Sequence, residues 1–397
     1  MQVNRTKKNT FDIVLKNLSI ILKGNGTETN LNGGLITLNI YEDIFSNFLT
    51  GKINVVDTHD LQKNFPLIGN ENLEITYASS NDDSPKLLNF KIYKLDSDPK
   101  VTTSFEHQKI ITLYFCSKEM ITNSSIAISK KFDGKPNSIV KDLVKNNLKS
   151  KKKINTDSVT NKIKYVSNFW KFSKNLNYIY KNSLVNDNPD LLFFENPEGF
   201  HFKSLNNLLN KKAKATLEYK ENLDQKIVKD YYNKMKMNKY FDLLEFQFGN
   251  KIYKYDDENY EFYIEENDFE TVSETQNSLG RNLLYDDELK SNHNVQLTYN
   301  DEKVVSRRNQ IFNALDNYHL ILSLKGDSSR TVGQVYDIKF RSFKREELDN
   351  ELLSGKWLAS NINHQIFSDG TYEQNIKFIK NAFSKADTTA VKGKVIT

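Results

Sequence analysis

Histidines, cysteines and paired carboxylates are the residues best able to do chemistry, so their spacing is tested first. The histidines are His59, His107, His201, His293, His319 and His364. No two stand at metal-chelating spacing on a helix, and no His-Glu-x-x-His occurs, so that zinc-hydrolase pattern is excluded. His107, His201, His319 and His364 fall in strand-like stretches, where a lone histidine reads as a solvent-facing or satisfied core group. Cys116 is the sole cysteine. It excludes an intrachain disulfide and a cysteine-based zinc site, and it reads as a small buried hydrophobe. Lys23-Gly24-Asn25-Gly26 has Gly-x-Gly without a third glycine and runs into Thr27-Glu28-Thr29, so it reads as a turn between strands. Asp256-Asp257-Glu258 lacks the glycine and terminal glutamate of a calcium loop and reads as a solvated hairpin tip. Lys149 with Lys151, Lys152 and Lys153 is the one basic run, read as a solvated loop; as a phosphate contact it would be nonspecific and salt-sensitive. Two carboxylates able to cut a glycosidic bond can meet in any acid-rich chain, so a hydrolase remains the alternative reading. No catalytic, cofactor-binding or metal-binding residue is nominated.

Composition bounds what could position such groups. The 397 residues allow two to four domains. With 38% hydrophobic and 12% aromatic residues the chain can fill packed cores, while a mean hydropathy of -0.63 implies a polar surface. The net charge is +5. The basic residues are mostly lysine, and the arginines are only Arg5, Arg281, Arg307, Arg308, Arg330, Arg341 and Arg345. Arginine is the usual reader of bases and phosphates, so this balance argues against sequence-specific DNA recognition. The first ten residues lack the apolar stretch of a signal peptide, and no apolar run is long enough to span a membrane, so no membrane anchor is expected.

The elements follow from periodicity. Residues 11–22, 35–40, 51–57 and 72–78 alternate as strands do, and with the stretch 90–115 they make about six strands of an antiparallel barrel or sandwich. The pattern then changes. Residues 136–148 place Ile139, Val140, Leu143, Val144 and Leu148 on one helical face, capped by Asn137 or Ser138. Phe169, Trp170, Phe172, Leu176, Ile179 and Tyr180 are spaced as a second helix, capped by Ser167 or Asn168. "LLFFENPEGFHF" is two aromatic strands around Asn196-Pro197-Glu198-Gly199. Residues 220–248 read as helix then strand, 250–263 as a stretch of aromatics alternating across an acidic turn, and 265–303 as a long, partly irregular connection. A helix then runs into a strand at His319 to Leu324, a strand pair surrounds Gly333, and 344–355 is a charged loop or short helix.

One pattern occurs twice. Phe90 to Phe115 and Ser354 to Ile379 each hold an alternating strand, a turn bearing Ser-Asp (Ser97-Asp98; Ser368-Asp369), an aromatic-glutamate pair (Phe105-Glu106; Tyr372-Glu373) and a second alternating strand. A chain that builds one hairpin twice is expected to build one small β domain twice. Each such unit buries a modest core and leaves sheet edges for neighbours.

Several stretches resemble the baseplate hub protein of contractile-tailed phages of the T-even type. In the first β unit these are Gly51, Asp57, Pro66, Gly69 and Glu71; in the insertion, the aromatic hairpin Leu191 to Leu209; in the second, Gly326, Gly333, Gly355 and Trp357. The resemblance implies a mainly β chain with an α+β insertion and two similar antiparallel β-barrel (tube) domains. The expected division is a first tube domain at 1–118 completed by parts of 211–265, an inserted domain at 119–210, a connecting region at 211–305, a second tube domain at 306–383 and a flexible tail at 384–397. It further implies a homotrimer whose six tube domains form a pseudo-sixfold ring in the virion baseplate, made in the host cytoplasm. The implied partners are the central spike protein, the tail tube protein and neighbouring baseplate proteins, with DNA and tape-measure protein only passing through the channel. No cofactor is implied. The competing reading is a tail-associated cell-wall hydrolase. A channel that lets DNA pass is expected to be polar and acidic, with most lysines elsewhere. Lys91, Tyr93, Thr112, Asn363, Gln365 and Asn375 are the strand residues suggested for exposed faces or ring edges. Trp357 is either an interface anchor or barrel core.

Overall fold

The computed structural model describes residues 15–218 and 318–380, apart from 25, 58–60, 62–64, 66, 68, 70, 80–83, 99–108, 187 and 341–353. Between 219 and 317 it describes 228–230, 249–256, 261–268, 294–296, 308, 311, 312 and 315. Expectations for Phe105-Glu106, for the charged loop or helix over 344–353 and for the tail at 384–397 lie outside these residues. Within 220–248, read as helix then strand, only 228–230 are described, and they are strand; within 265–303, read as a partly irregular connection, the described residues 265–268 and 294–296 are strand instead.

The first unit holds β1 (Asn17–Gly24), β2 (Thr27–Asn30), β3 (Leu35–Asp43), β4 (Thr50–Asp57), β5 (Asn72–Ala78), β6 (Lys86–Asp98) and β7 (Lys109–Ser117). The insertion follows with β8 (Ile128–Gly134), β9 (Ile154–Thr156), β10 (Ile163–Trp170), β11 (Leu191–Asn196) and β12 (Gly199–Ser204). Then come β13 (Thr216–Glu218), β14 (Val228–Asp230), β15 (Gly249–Asp256), β16 (Glu261–Asp268) and β17 (Asn294–Gln296). The second unit holds β18 (Tyr318–Lys325), β19 (Val335–Lys339), β20 (Gly355–Phe367) and β21 (Tyr372–Lys380).

The chain is mainly β with an α+β insertion, as expected. The two β units are joined in one sheet, in the order β14-β18-β21-β20-β3-β4-β7-β6-β5-β1-β2, with β13 and β19 branching from β20. No pairing closes a barrel among the described residues. The join is made by β20: its first half pairs with β19 and its second half with β3, while β21 runs along its other edge. The strands described between 211 and 265 do not complete the first unit. β13 pairs with β19 and β14 with β18, both in the second unit, and β15 pairs with β16 and β17 in a separate sheet.

Three apolar cores lie behind these sheets. The first gathers Leu38, Ile40, Ile53, Ile75, Leu113 and Phe115, with Ile366 and Tyr372 reaching in from the second unit. The second gathers Leu320, Leu322, Val335, Trp357, Ile376 and Phe378, with Phe194 and Leu208 from the insertion. The third fills the insertion with Val140, Leu143, Phe172, Leu176, Phe193 and Phe202. Each fully buried side chain of this size contributes about 1.5–3 kcal/mol by leaving water.

Four local expectations are corrected. Ser97 and Asp98 continue β6, paired with Ile111 and Ile110, rather than forming a turn. The second hairpin turns at Ser368-Asp369, where Gly370 takes a left-handed φ of 81°; no glycine stands between Asp98 and Lys109 to permit the same tight turn. Phe169 and Trp170 belong to β10, and the helix begins at Phe172 with Lys171 as N-cap. β10 pairs with β8 along its edge and turns Ile163 and Tyr165 into the insertion core, so pairing overrides the helical spacing. The helix Pro136–Asp142 starts on Lys135 rather than on Asn137 or Ser138, because proline at the first position supplies a pre-set φ and needs no partner for a missing N–H. Near Gly333 only β19 is a strand; Gly333 itself turns at φ 78°.

Candidate functional site

Period-2 alternation gives the large sheet two unlike faces. One covers the cores. The other carries amides and hydroxyls across β18, β21, β20, β3, β4, β7 and β6. The register aligns them in rows: Ser323–Asn375–Asn363–Tyr41–Thr50 is one, and Phe367–Thr37–Asn54–Thr112–Asp96 another. Side chains bond across the strands. Thr112 Oγ1 donates to Asn54 Oδ1 at 2.9 Å, and Asn54 Nδ2 donates to Thr37 Oγ1 at 2.9 Å. Gln365 Nε2 donates to Asn39 Oδ1 at 3.2 Å, Asn375 Nδ2 to Gln365 Oε1 at 2.9 Å, and Ser323 Oγ to Asn375 Oδ1. This ladder crosses from one β unit into the other between β20 and β3.

The strand candidates from sequence come together here. Thr112, Asn363, Gln365 and Asn375 are half-buried members of the face. Lys91 pairs in register with Cys116 on the same face, and burial lowers its ammonium pKa. Tyr93 is the extra residue of a bulge in β6, 45% exposed, with its ring 6.3 Å from that of Tyr114. Trp357 is not on this face. It is 2% exposed in the second core, under the Lys380 ammonium at 5.3 Å. Near the seam the face dips into a depression of ≈ 340 Å³ lined by Tyr41, Asp43, Thr50, Asn361, Asn363 and Lys377. Burial pushes the Asp43 carboxyl above its usual range. Lysines are not confined to the outside of this surface: Lys52, Lys91, Lys94, Lys325 and Lys377 share it with Asp43, Asp96 and Glu373.

Behind the seam lies a buried polar network. Glu42 on β3 receives His364 Nε2 at 2.7 Å on one oxygen and the Val332 N–H at 3.0 Å on the other. His364 Nδ1 faces the Tyr372 hydroxyl at 2.6 Å and the Gln374 amide nitrogen at 3.2 Å. With donors at Nδ1, the ring's Nε2–H is the one that donates to Glu42. Gln374 Nε2 also donates to the Asp327 carbonyl, and Arg330 donates to Gln374 Oε1 at 3.1 Å. Tyr77 packs edge-on against Tyr372 at 6.0 Å. Glu42, His364, Tyr372 and Gln374 are at most 1% exposed. Gly326 sits so close to the Tyr372 ring that a Cβ there would lie 2.0 Å from it. The set can hold the two units in register; it presents no group to a solvent-borne substrate. Among the described residues no group of three His, Cys, Asp or Glu is placed to hold a metal ion.

A second tie anchors the insertion. Lys152 Nζ bridges Glu119 at 2.8 Å and Glu195 at 2.5 Å, and Glu195 also accepts the Leu49 N–H at 3.0 Å. This corrects the reading of the basic run as a wholly solvated loop, since two nearly buried carboxylates draw Lys152 inward. Burial alone would lower its pKa, but the two carboxylates outweigh that and raise it. Burial holds Glu195 above its usual value, while Lys152 outweighs burial at Glu119 and lowers it. Cys116 is buried nearby, and desolvation pushes its thiol to about 11, the inert packing residue expected. His201 stacks on Phe194, and burial lowers its pKa to about 4.

Sequence reasoning did not find Glu42, Gln374, Asp327 or Arg330. A signal was present: Glu42 continues the core parity of Leu38 and Ile40, and Gln374 stands at that of Ile376. A polar residue at an apolar beat of a strand marks a buried network.

No protein-family model and no curated protein matches the chain. Its fold matches solved structures. A tail protein from Neisseria meningitidis MC58 superposes at TM-score 0.59 with 9% identity, over 92% of this chain and 97% of that one. The 43 kDa tail protein of prophage MuSo2 from Shewanella oneidensis gives 0.59 with 10% identity, over 93% of this chain and 100% of that one. A Francisella PdpA–VgrG complex gives 0.54 with 12% identity, over 95% of this chain and 60% of the matched one. The likeness is one of fold alone, shared with these tail proteins and with a chain of the PdpA–VgrG complex.

Proposed function

We propose that the chain is a structural baseplate hub subunit of a contractile phage tail. Three copies form a pseudo-sixfold ring that joins the central spike to the tail tube and leaves a channel for the genome and tape-measure protein. The chain resides in the virion baseplate after synthesis in the host cytoplasm. The observation that carries this reading is the amide and hydroxyl face that runs unbroken across both β units. Many of its amides and hydroxyls are bonded to one another across the strands, which leaves fewer of them free to hold a passing chain. Its charges are mixed rather than acidic, which still avoids the dense basic stripe of a DNA-binding surface.

The three cores support a division into a first β unit ending near 118, an insertion at 119–210 and a second β unit at 306–383. The fold shared with tail proteins supports the structural role and the neighbouring spike, tube and baseplate partners. The Glu42–His364–Tyr372 set is the arrangement most like a catalytic one, and its burial favours a lock over a hydrolase. The test is the solution mass of the purified chain by light scattering, followed by particle imaging. A trimer with six similar lobes around an open centre is expected. A chain that stays monomeric when mixed with its neighbouring tail proteins overturns the reading.

A further inference from the structure

The insertion carries a surface that the ring does not explain. β8 and β10 form a two-stranded ribbon, and among the described residues neither strand pairs with a third, so each keeps one free edge. The pairing shifts between Ser167 and Trp170, and at that bulge Phe169 takes a φ of 53°. That left-handed conformation is uncommon for a bulky residue. Its result is a ring 73% exposed, with Val166 beside it at 62%. Phe132 and Trp170 stack on Tyr165 and Tyr178 tilts against it at 4.4 Å, so an aromatic cluster exists that Phe169 does not join. Exposed lysines stand along the ribbon and just beyond it, at Lys131, Lys162, Lys164, Lys171 and Lys174, with Asp133 the exposed acid of the ribbon. Lys130 is already bonded to Asp142 at 2.6 Å.

The chain also holds the complementary element. β16 is the end strand of the order β16-β15-β17 and so has a free edge among the described residues. Its sequence carries Glu261, Glu265, Glu266 and Asp268, and no lysine or arginine occurs from Tyr255 to Gly280. We propose that the basic β8–β10 ribbon, with Phe169 as its apolar anchor, pairs edge to edge with the acidic strand β16 of a second copy of the chain. Free edges recruit strands, and opposite charges set which edges meet. A polypeptide strand fits better than nucleic acid, because a strand satisfies the open backbone edge and the surrounding cations are all lysine. The proposal takes from the hub reading only that copies of the chain meet one another.

The test uses the full chain with a photo-crosslinking amino acid at position 169, prepared as a mixture of isotopically light and heavy copies. Mass spectrometry is expected to find position 169 of one copy joined to residues 261–268 of another. The yield should fall about tenfold in K131E/K164E and return when E265K/E266K is added to that variant. An adduct confined to one chain, an adduct elsewhere, no adduct, no response to the charge changes, or displacement by a short oligonucleotide overturns the proposal. A K131E/K164E protein that remains a trimer, alongside a wild-type trimer lacking the adduct, sinks the contact and leaves the hub reading standing. A wild type that is monomeric with its tail partners and lacks the adduct sinks both.

Discussion

The hairpins β6–β7 and β20–β21 follow one plan and bury different things. Both turn amides, hydroxyls and lysines to the open face. Inward, β6–β7 packs hydrocarbon, with Phe90 and Phe115 at 4.7 Å between ring centroids. The inward side of β20–β21 places His364, Tyr372 and Gln374 against Glu42 of the other unit. Hydrocarbon stabilises without direction, while a hydrogen-bonded network accepts few alternatives. The first hairpin belongs to one core and needs only to be filled. The second must meet β3 in one register, since a slip of one residue would bury the face of Asn363 and Gln365.

The sharpest way to break this contrast is to remove one partner in each hairpin. His364→Ala is expected to cost about 3–5 kcal/mol, because it strands a buried carboxylate, and Phe115→Ala about 3–5 kcal/mol through an empty cavity. Denaturant melts would show both. The two losses differ in rescue: His364→Leu with Glu42→Leu should lose less than His364→Leu alone, because no buried carboxylate is then stranded, although the Val332 N–H and the Tyr372 hydroxyl lose a partner. Failure of that rescue would mean the network contributes more than satisfied polarity.

The next effect concerns pH. Lys380, at the end of β21, is buried and its pKa is lowered to about 8, chiefly by desolvation. The unfolded chain therefore holds more protons than the folded one between pH 8 and about 10.4, and stability rises across that window. The gain should reach about 3 kcal/mol and vanish in Lys380→Met, read from melting midpoints against pH. Gly326→Ala should cost about 1–3 kcal/mol by forcing a methyl into the Tyr372 ring; an unchanged midpoint would show that the ring can move aside. The smallest change is on the open face. Asn375→Ala should lose about 0.5–1.5 kcal/mol from the ladder, read from the melting midpoint.

Most strands were legible because alternation reports a half-buried sheet directly. The aromatic hairpin at 191–204 and the strands bearing Thr112, Gln365 and Asn375 could be placed from sequence, and those residues do share one face. What could not be read is what depends on partners far along the chain. Phe169 and Trp170 sit at helical spacing, yet pairing with β8 makes them strand. Lys152 belongs to a solvated-looking run until Glu119 and Glu195 converge on it. The Glu42–His364 bond joins positions whose proximity no local pattern encodes. Trp357 was open between interface and core, and it lies 2% exposed among the residues of the second core.

One strand bears on how the molecule would answer a pull. β20 is 13 residues long and is gripped by β19, β3 and β21 along different parts of its two edges. Tension applied along it from opposite ends would load those ladders in shear, so many bonds must fail together. Tension applied across it would peel them one at a time. A body pulled along this strand withstands the load far better in the first geometry than in the second. β20 thus acts as a tie rod that runs through both halves of the body.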